Sequence, residues 1–200
     1  MKLKRIPSNI FKFISLIFQD RFVFFYFKDW ISSLLIKNYN SPYPWLTYRF
    51  IKWASRNFKK DTTLLEFGSG NSTMFFSKLC NHVISIEHNK DWYEKVKGFI
   101  SDSNVLNVNL YYKSGDEYID FAKSLPDNYL DIVLIDGVNR CQCFLAVLDK
   151  VKDNGLIILD NAERKEYDLI HERLKSKKTL IFQGLSPYNM KITTTKIWIK

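Results

Sequence analysis

Cysteine and histidine are scarce, three of each in 200 residues. Cys80, Cys141 and Cys143 form no C-x-x-C pair and are too few for a disulfide framework. Cys141 and Cys143 have no histidine near them in sequence with which to share a soft metal. They read as reduced thiols on a partly buried helix, which points to a cytosolic protein. Also missing is any uncharged apolar run of the ~18 residues that cross a bilayer. Phe13–Phe18 and Phe22–Phe27 are parted by Gln19-Asp20-Arg21 and closed by Lys28-Asp29. Lys2, Lys4 and Arg5 ahead of an apolar stretch imitate a secretory leader. Lys12 inside the run, and the lack of a small-residue cleavage site, argue against one. With no internal repeat and no low-complexity tract, one ordinary domain with a short extension is expected.

Acidic residues are nearly absent from the first 60 positions. That stretch carries 12 Lys and Arg against Asp20 and Asp29 alone, a net of +10, whereas residues 61–200 carry 18 against 19. Half of the 32 aromatic residues lie there too. A basic, aromatic-rich helical extension over 1–44 therefore precedes a near-neutral domain over 45–200. Ser8 is placed to cap a helix over 9–19, with Ile10, Phe13, Ile14 and Ile17 on one side. Residues 21–36 also read as helix, but their charges fall all round it. Asn38 to Pro44, with two prolines, two asparagines and a serine, reads as a hinge.

Beyond the hinge, the pattern predicts a helix over 45–58 that packs Leu46, Phe50 and Trp53 on a sheet. Strands and helices then alternate: strand 63–67, helix 72–80, strand 82–87, helix 89–100 and strand 105–112. Next come strand 131–135, a helix near 140–150, strand 156–159, and a helix over 163–176 with Asn161 as its cap. Such alternation gives an α/β fold, a parallel sheet with helices on both faces. Residues 179–182 and 193–199 are joined by a loop too short for a crossover helix, so they should close the sheet as an antiparallel hairpin.

Within that frame the most informative stretch is Thr63-Leu64-Leu65-Glu66-Phe67-Gly68-Ser69-Gly70-Asn71-Ser72-Thr73. A buried strand ends in a carboxylate and a glycine turn, and the next strand ends in Glu87 about twenty residues on. This is the layout of a mononucleotide-binding βαβ unit. Gly68 and Gly70 admit close approach of a ligand, and Glu87 can accept from both hydroxyls of a ribose. A dinucleotide site wants a third glycine for its pyrophosphate; this chain has Thr73 there. Glu66 would repel a pyrophosphate, yet suits an ammonium and a sulfonium.

On these residues the chain resembles the class I S-adenosylmethionine-dependent methyltransferases, with a Rossmann-like, mostly parallel seven-stranded sheet. The phrases Pro44-Trp45-Leu46-Thr47-Tyr48, Ile86-Glu87-His88-Asn89-Lys90-Asp91-Trp92, Asp136-Gly137-Val138-Asn139-Arg140 and Leu159-Asp160-Asn161-Ala162-Glu163-Arg164 are similar to those of a bacterial group of methyltransferase-domain proteins. That resemblance spans roughly 42–200 and brings no acceptor with it. It implies a cofactor loop shaped by Gly68, Ser69, Gly70 and Ser72, with Glu66 toward the methionyl end, Glu87 at the ribose and Asp116 at the adenine. The alternative role for Asp116 is to cap a helix over 117–125. His88 reads as structural or solvated, with a ribose or adenine contact as its alternative.

Asp136, Asp160 and Asn161 end the later strands, and their oxygens are of the kind that hold a hard cation such as Mg²⁺. The pairs Ile135-Asp136-Gly137 and Leu159-Asp160-Asn161 look like those of cation-dependent O-methyltransferases, where the corresponding residues bind metal. The lysine base of that family is replaced by Asn139, followed by Arg140, a poor base but a good anion anchor. Without metal, Asp136 or Asp160 would take the proton; the bland alternative makes these pairs a turn and a helix cap. Trp45 and Tyr48 read as core aromatics, with the mouth of the site as their alternative.

The expected function is O-methylation of a small-molecule or surface-associated acceptor, carbohydrate and lipid-linked ones included. The alternatives are a nucleic-acid methyltransferase and a non-catalytic membrane- or partner-binding module on the same fold. An Asn-Pro-Pro-Tyr type motif after the fourth strand, which base-amino methyltransferases carry, is missing. Residues 1–37 suit an anionic membrane surface, or a helical cover or homodimer contact.

Overall fold

The computed structural model describes Ser15, Phe18, residues 20–35 and residues 43–200. The expected helix over 9–19, with its Ser8 cap, and the hinge up to residue 42 lie outside the described residues, save for Ser15 and Phe18.

A 3-10 turn over Arg21–Phe25 leads into α1 (Phe27–Leu35), and α2 is Tyr48–Asn57. Then follow β1 (Thr63–Phe67), α3 (Asn71–Ser77), β2 (His82–Glu87), α4 (Lys90–Asp102), β3 (Val108–Tyr112) and α5 (Glu117–Lys123). The second half comprises β4 (Leu130–Ile135), α6 (Arg140–Val147), β5 (Val151–Leu159), α7 (Asp168–Arg173), β6 (Thr179–Gly184) and β7 (Thr193–Ile199). The strands form one sheet in the order β3-β2-β1-β4-β5-β7-β6. The first five are parallel; β7 runs antiparallel to both β5 and β6. The sheet and its terminal hairpin are those the alternation predicts.

The strands read as near-continuous apolar runs because both faces of the sheet are covered. Leu64 faces one layer with Phe50, Ala54, Phe76 and Ile158, all buried. Leu65 and Phe67 face the other, with Val133, Phe144 and Trp198. A one-residue slip would exchange the two sets, which pins the register. Phe67 lies opposite Ile86 and Ile135, and Ile135 opposite Leu159. The carboxyl ends of β1, β2, β4 and β5 are thereby level, and strand order reverses between β1 and β4. Gly68, Glu87, Asp136 and Asp160 all come to that end.

The sequence expectation fails after β5. Asn161 does not cap a helix over 163–176; its backbone is left-handed at φ 49°, a 3-10 turn occupies Lys165–Tyr167, and α7 starts only at Asp168. At Asn161 that conformation turns the chain, and a further turn intervenes before the helix begins. Asp116 does sit at the N-cap position of α5, but its side chain caps nothing. Other boundaries shift by a turn or less, except that β5 begins earlier, at Val151, opposite Leu130.

The described part of the extension is bound to the main domain. Trp30 is fully buried in the same cluster as Leu46 and Phe50. The Asp20 carboxylate accepts from Arg49 at 2.9 Å, from the Leu185 backbone N–H at 3.0 Å, and from the Tyr26 hydroxyl.

Candidate functional site

At the carboxyl ends of the parallel strands lies a cleft of about 840 Å³. Its first wall is the turn after β1, with Gly68, Ser69, Gly70 and Ser72, and behind it Glu87 and His88 at the end of β2. Its second wall is Asp136, Arg140, Asp160 and Asn161, from the ends of β4 and β5. Trp45 and the β6–β7 loop, Ser186 to Asn189, complete the mouth. Trp45 is half exposed and its ring lies 5.5 Å from that of Tyr188. Tyr48 instead is buried, so the two aromatics of one motif divide between mouth and core.

The turn is held from below and from the side. Thr73 accepts from the Gly70 N–H at 2.9 Å and donates to Glu66, which also accepts from Ser85 at 2.8 Å. Glu66 is fully buried under the turn and is not part of the cleft wall. Burial pushes its carboxyl up to about 7, because a charged group without water is costly even with two hydroxyl donors. Trp92, which sequence reasoning passed over, donates from Nε1 to the Ser69 carbonyl at 2.7 Å and lies against Gly70. Asn89 caps α4 by accepting from the Trp92 N–H, so Trp92 stands in the first turn of that helix.

Glu87 is 3% exposed. One oxygen accepts from the Ser69 N–H and hydroxyl at 3.0 and 3.1 Å; the other accepts from the Asn89 N–H at 2.8 Å and lies 3.1 Å from His88. Gly68 has φ +89°, and a Cβ there would come within 3.0 Å of Gly137 Cα. Its glycine is demanded by the turn and by the neighbouring turn after β4. Asp116 is exposed and lies outside the cleft wall.

On the second wall Arg140 is buried, with only 9% of its surface exposed. It donates to the Gly137 carbonyl at 2.9 Å, the Asp160 carbonyl at 2.6 Å, and the Asp136 carbonyl and carboxylate, each at 2.8 Å. Asp160 accepts from Thr195 at 2.7 Å. Burial, reinforced by the Asp136 charge, raises Asp160 well above the ordinary carboxylate range, and burial also raises Asp136 against the pull of Arg140. Asn161 Oδ1 accepts from Arg164 at 3.1 Å.

This donor set is partly engaged by the protein itself. One Asp136 oxygen faces the Arg140 guanidinium, and Asp160 and Asn161 each have an oxygen that accepts from a protein donor. Among the described residues no group of three His, Cys, Asp or Glu side chains is arranged to hold a metal. The expected Mg²⁺ site at Asp136, Asp160 and Asn161 is not supported, and a fixed cation, Arg140, pairs with Asp136.

By sequence, no family model and no curated protein matches the chain. Solved structures do match in shape. A candidate methyltransferase of Streptococcus mutans in complex with SAH superposes with a TM-score of 0.59 at 15% identity, over 76% of this chain and 96% of that one. A candidate caffeoyl-CoA O-methyltransferase from Staphylococcus aureus gives 0.61 at 17% identity, over 79% and 86%. A tRNA (m1A58) methyltransferase from Aquifex aeolicus gives 0.59 at 12% identity, over 76% and 67%. The fold is that of the class I methyltransferases. A methyltransferase fold with this strand order puts its ligand crevice where strand order reverses, and the cleft between Gly68 and Asp136 lies there.

Proposed function

We propose that this chain is an S-adenosylmethionine-dependent methyltransferase acting on a hydroxyl oxygen of a small-molecule or surface-associated acceptor. One observation carries the reading: a single cleft sets the glycine turn and Glu87 opposite two carboxylates, the partly exposed Asp136 and the buried Asp160. The residues present fit the cofactor. Ser69, Gly70 and Ser72 would receive its methionyl end, and Glu87 its ribose. The Ser69 and Asn89 backbone N–H groups fix the Glu87 carboxylate, leaving the Ser69 hydroxyl and His88 as the partners a ribose diol replaces. Glu66 would act through the turn, by way of Thr73 and Gly70, and not by touching ligand.

When bound, the cofactor supplies a methyl carbon activated by its sulfonium. The chain's own work is to hold the acceptor oxygen in line and to take its proton. Asp160 is the base in this reading. A carboxylate raised toward neutrality is a stronger base, and the Thr195 hydroxyl keeps it oriented. Arg140 positions Asp136 and the ends of β4 and β5. Trp45 and Tyr188 offer a ring surface at the mouth, suited to the flat or apolar face of a hydroxyl-bearing acceptor such as a sugar.

The test is transfer of tritiated methyl to a panel of hydroxyl acceptors, with and without chelator, by wild type and Asp160→Asn. Label should reach an oxygen without regard to chelator. It should fall about 100-fold or more in the variant while S-adenosylhomocysteine binding persists. Transfer only to nucleic acid, or only with added Mg²⁺, would contradict the reading.

A further inference from the structure

The described part of the extension exposes phenylalanine in a way that neither core nor cleft explains. Phe18, Phe24 and Phe25 are 77, 72 and 75% exposed, and Phe22 is 46% exposed. Elsewhere, large exposed apolar side chains stand singly, as Leu106 and Ile181 do, which is ordinary. Four rings within eight residues are not. The tight 3-10 turn over Arg21–Phe25 sets Phe22 and Phe25 side by side, with centroids 5.8 Å apart.

A cation lies over each of two of these rings. The Arg49 guanidinium lies 4.2 Å from the Phe22 centroid, and the Lys52 ammonium 5.2 Å from that of Phe25. Arg49, Lys52 and Arg56 share one side of α2 by their spacing, and Lys28, three residues after Phe25, is exposed. The two acids of the segment are engaged inward: Asp20 with Arg49 and the Leu185 N–H, Asp29 with the Tyr43 hydroxyl at 3.2 Å. The surface is therefore both aromatic and cationic.

We infer that this face, Phe18, Phe22, Phe24 and Phe25 with Lys28 and Lys52, docks on an anionic lipid bilayer. The rings enter the boundary between headgroups and acyl chains, and the ammonium groups meet lipid phosphates. A second copy of this chain would bring its own +10 segment against the first, so charge disfavours a dimer through this face. Nucleic acid would satisfy the cations, but a cluster of four exposed phenylalanines also needs an apolar phase, which a bilayer supplies. No helix among the described residues is long and apolar enough to cross a membrane.

The same segment supports the acceptor side of the cleft. Trp30 donates to the Asn189 carbonyl at 2.9 Å, and Ser33 accepts from the Tyr188 N–H at 3.0 Å. Tyr188 is held left-handed at φ 61°, a conformation that persists only where its surroundings impose it. Docking through the phenylalanines would bring a lipid-linked acceptor to the wall that the extension braces.

Co-sedimentation of the full chain with vesicles tests this, using equimolar phosphatidylglycerol and phosphatidylcholine against phosphatidylcholine alone. Wild type should bind the anionic vesicles about tenfold or more tighter, and lose affinity as salt rises. Phe24→Ser/Phe25→Ser should weaken binding about tenfold or more with an unchanged unfolding midpoint, since both side chains are exposed. Lys28→Glu/Lys52→Glu should do likewise. Equal binding by wild type and the serine variant, no binding to anionic vesicles, a dimer that the serine variant breaks, or preference for an RNA oligonucleotide would each overturn the inference. Vesicle binding needs no cofactor, so its failure leaves the methyltransferase reading standing.

Discussion

The guanidinium of Arg140 lies 2.8 Å from the Asp136 carboxylate, and the same side chain holds three backbone carbonyls at the ends of β4 and β5. The cation that balances the acceptor wall is thus built into the chain. It was read from sequence as an anion anchor, yet its donors are already committed to the protein. Replacing it leaves a half-buried carboxylate and several carbonyls without that donor. Arg140→Ala should destabilise the fold by ~3 kcal/mol, read as a lower urea midpoint. Arg140→Lys should recover little of this, because one ammonium cannot span the same acceptors. A midpoint within error of wild type for Arg140→Ala would contradict the assignment.

The floor beneath the cleft is a contact of glycine with tyrosine. A Cβ on Gly137 would run into the Tyr118 hydroxyl, and that hydroxyl is buried with no hydrogen-bond partner among the described residues. Gly137→Ala should cost ~2 kcal/mol through overpacking. Tyr118→Phe, which deletes an unsatisfied polar atom, should be neutral or stabilising by ~1 kcal/mol. The double variant should regain most of what Gly137→Ala loses, and a double-mutant cycle in urea measures that coupling.

Stability should depend on pH through Glu66. Its folded carboxyl titrates at about 7 against an ordinary 4.5, because burial outweighs the Thr73 and Ser85 hydrogen bonds. Between those values the folded chain keeps a proton that the unfolded chain has lost. Glu66 therefore weakens the fold as pH rises through that window, by ~3 kcal/mol in all. Glu66→Gln should lack this part of the slope, so wild type should lose ground to the variant between about pH 5 and about pH 7.5. Parallel stability curves would show that Glu66 stays ionised in the fold.

Much of the fold is legible because β1 and β2 are mostly apolar segments that end in a carboxylate or a glycine turn. The region after Asp160 is less so. Asn161 looks like a cap by residue type, and only the tertiary fold reveals its left-handed backbone. The site divides the same way. Gly68, Ser69, Gly70, Ser72, Glu87, Asp136, Asp160 and Asn161 do meet in one cleft, since strand-end position predicts them. Glu66 and Asp116 do not face it, because the depth of a side chain below a turn is set by partners such as Thr73 and Ser85. Trp92 and Tyr188 reach the cleft through contacts with Ser69 and Ser33, distant in sequence and invisible to spacing.

The central claim is that the glycine turn and Glu87 hold S-adenosylmethionine. It is tested most directly by calorimetric titration of S-adenosylmethionine and S-adenosylhomocysteine into wild type and Glu87→Ala. The account predicts micromolar binding of both by wild type, a loss of about tenfold or more in the variant, and no change with added Mg²⁺. Absence of heat and of thermal shift with either ligand would contradict it, leaving a methyltransferase fold whose task lies in its basic aromatic face.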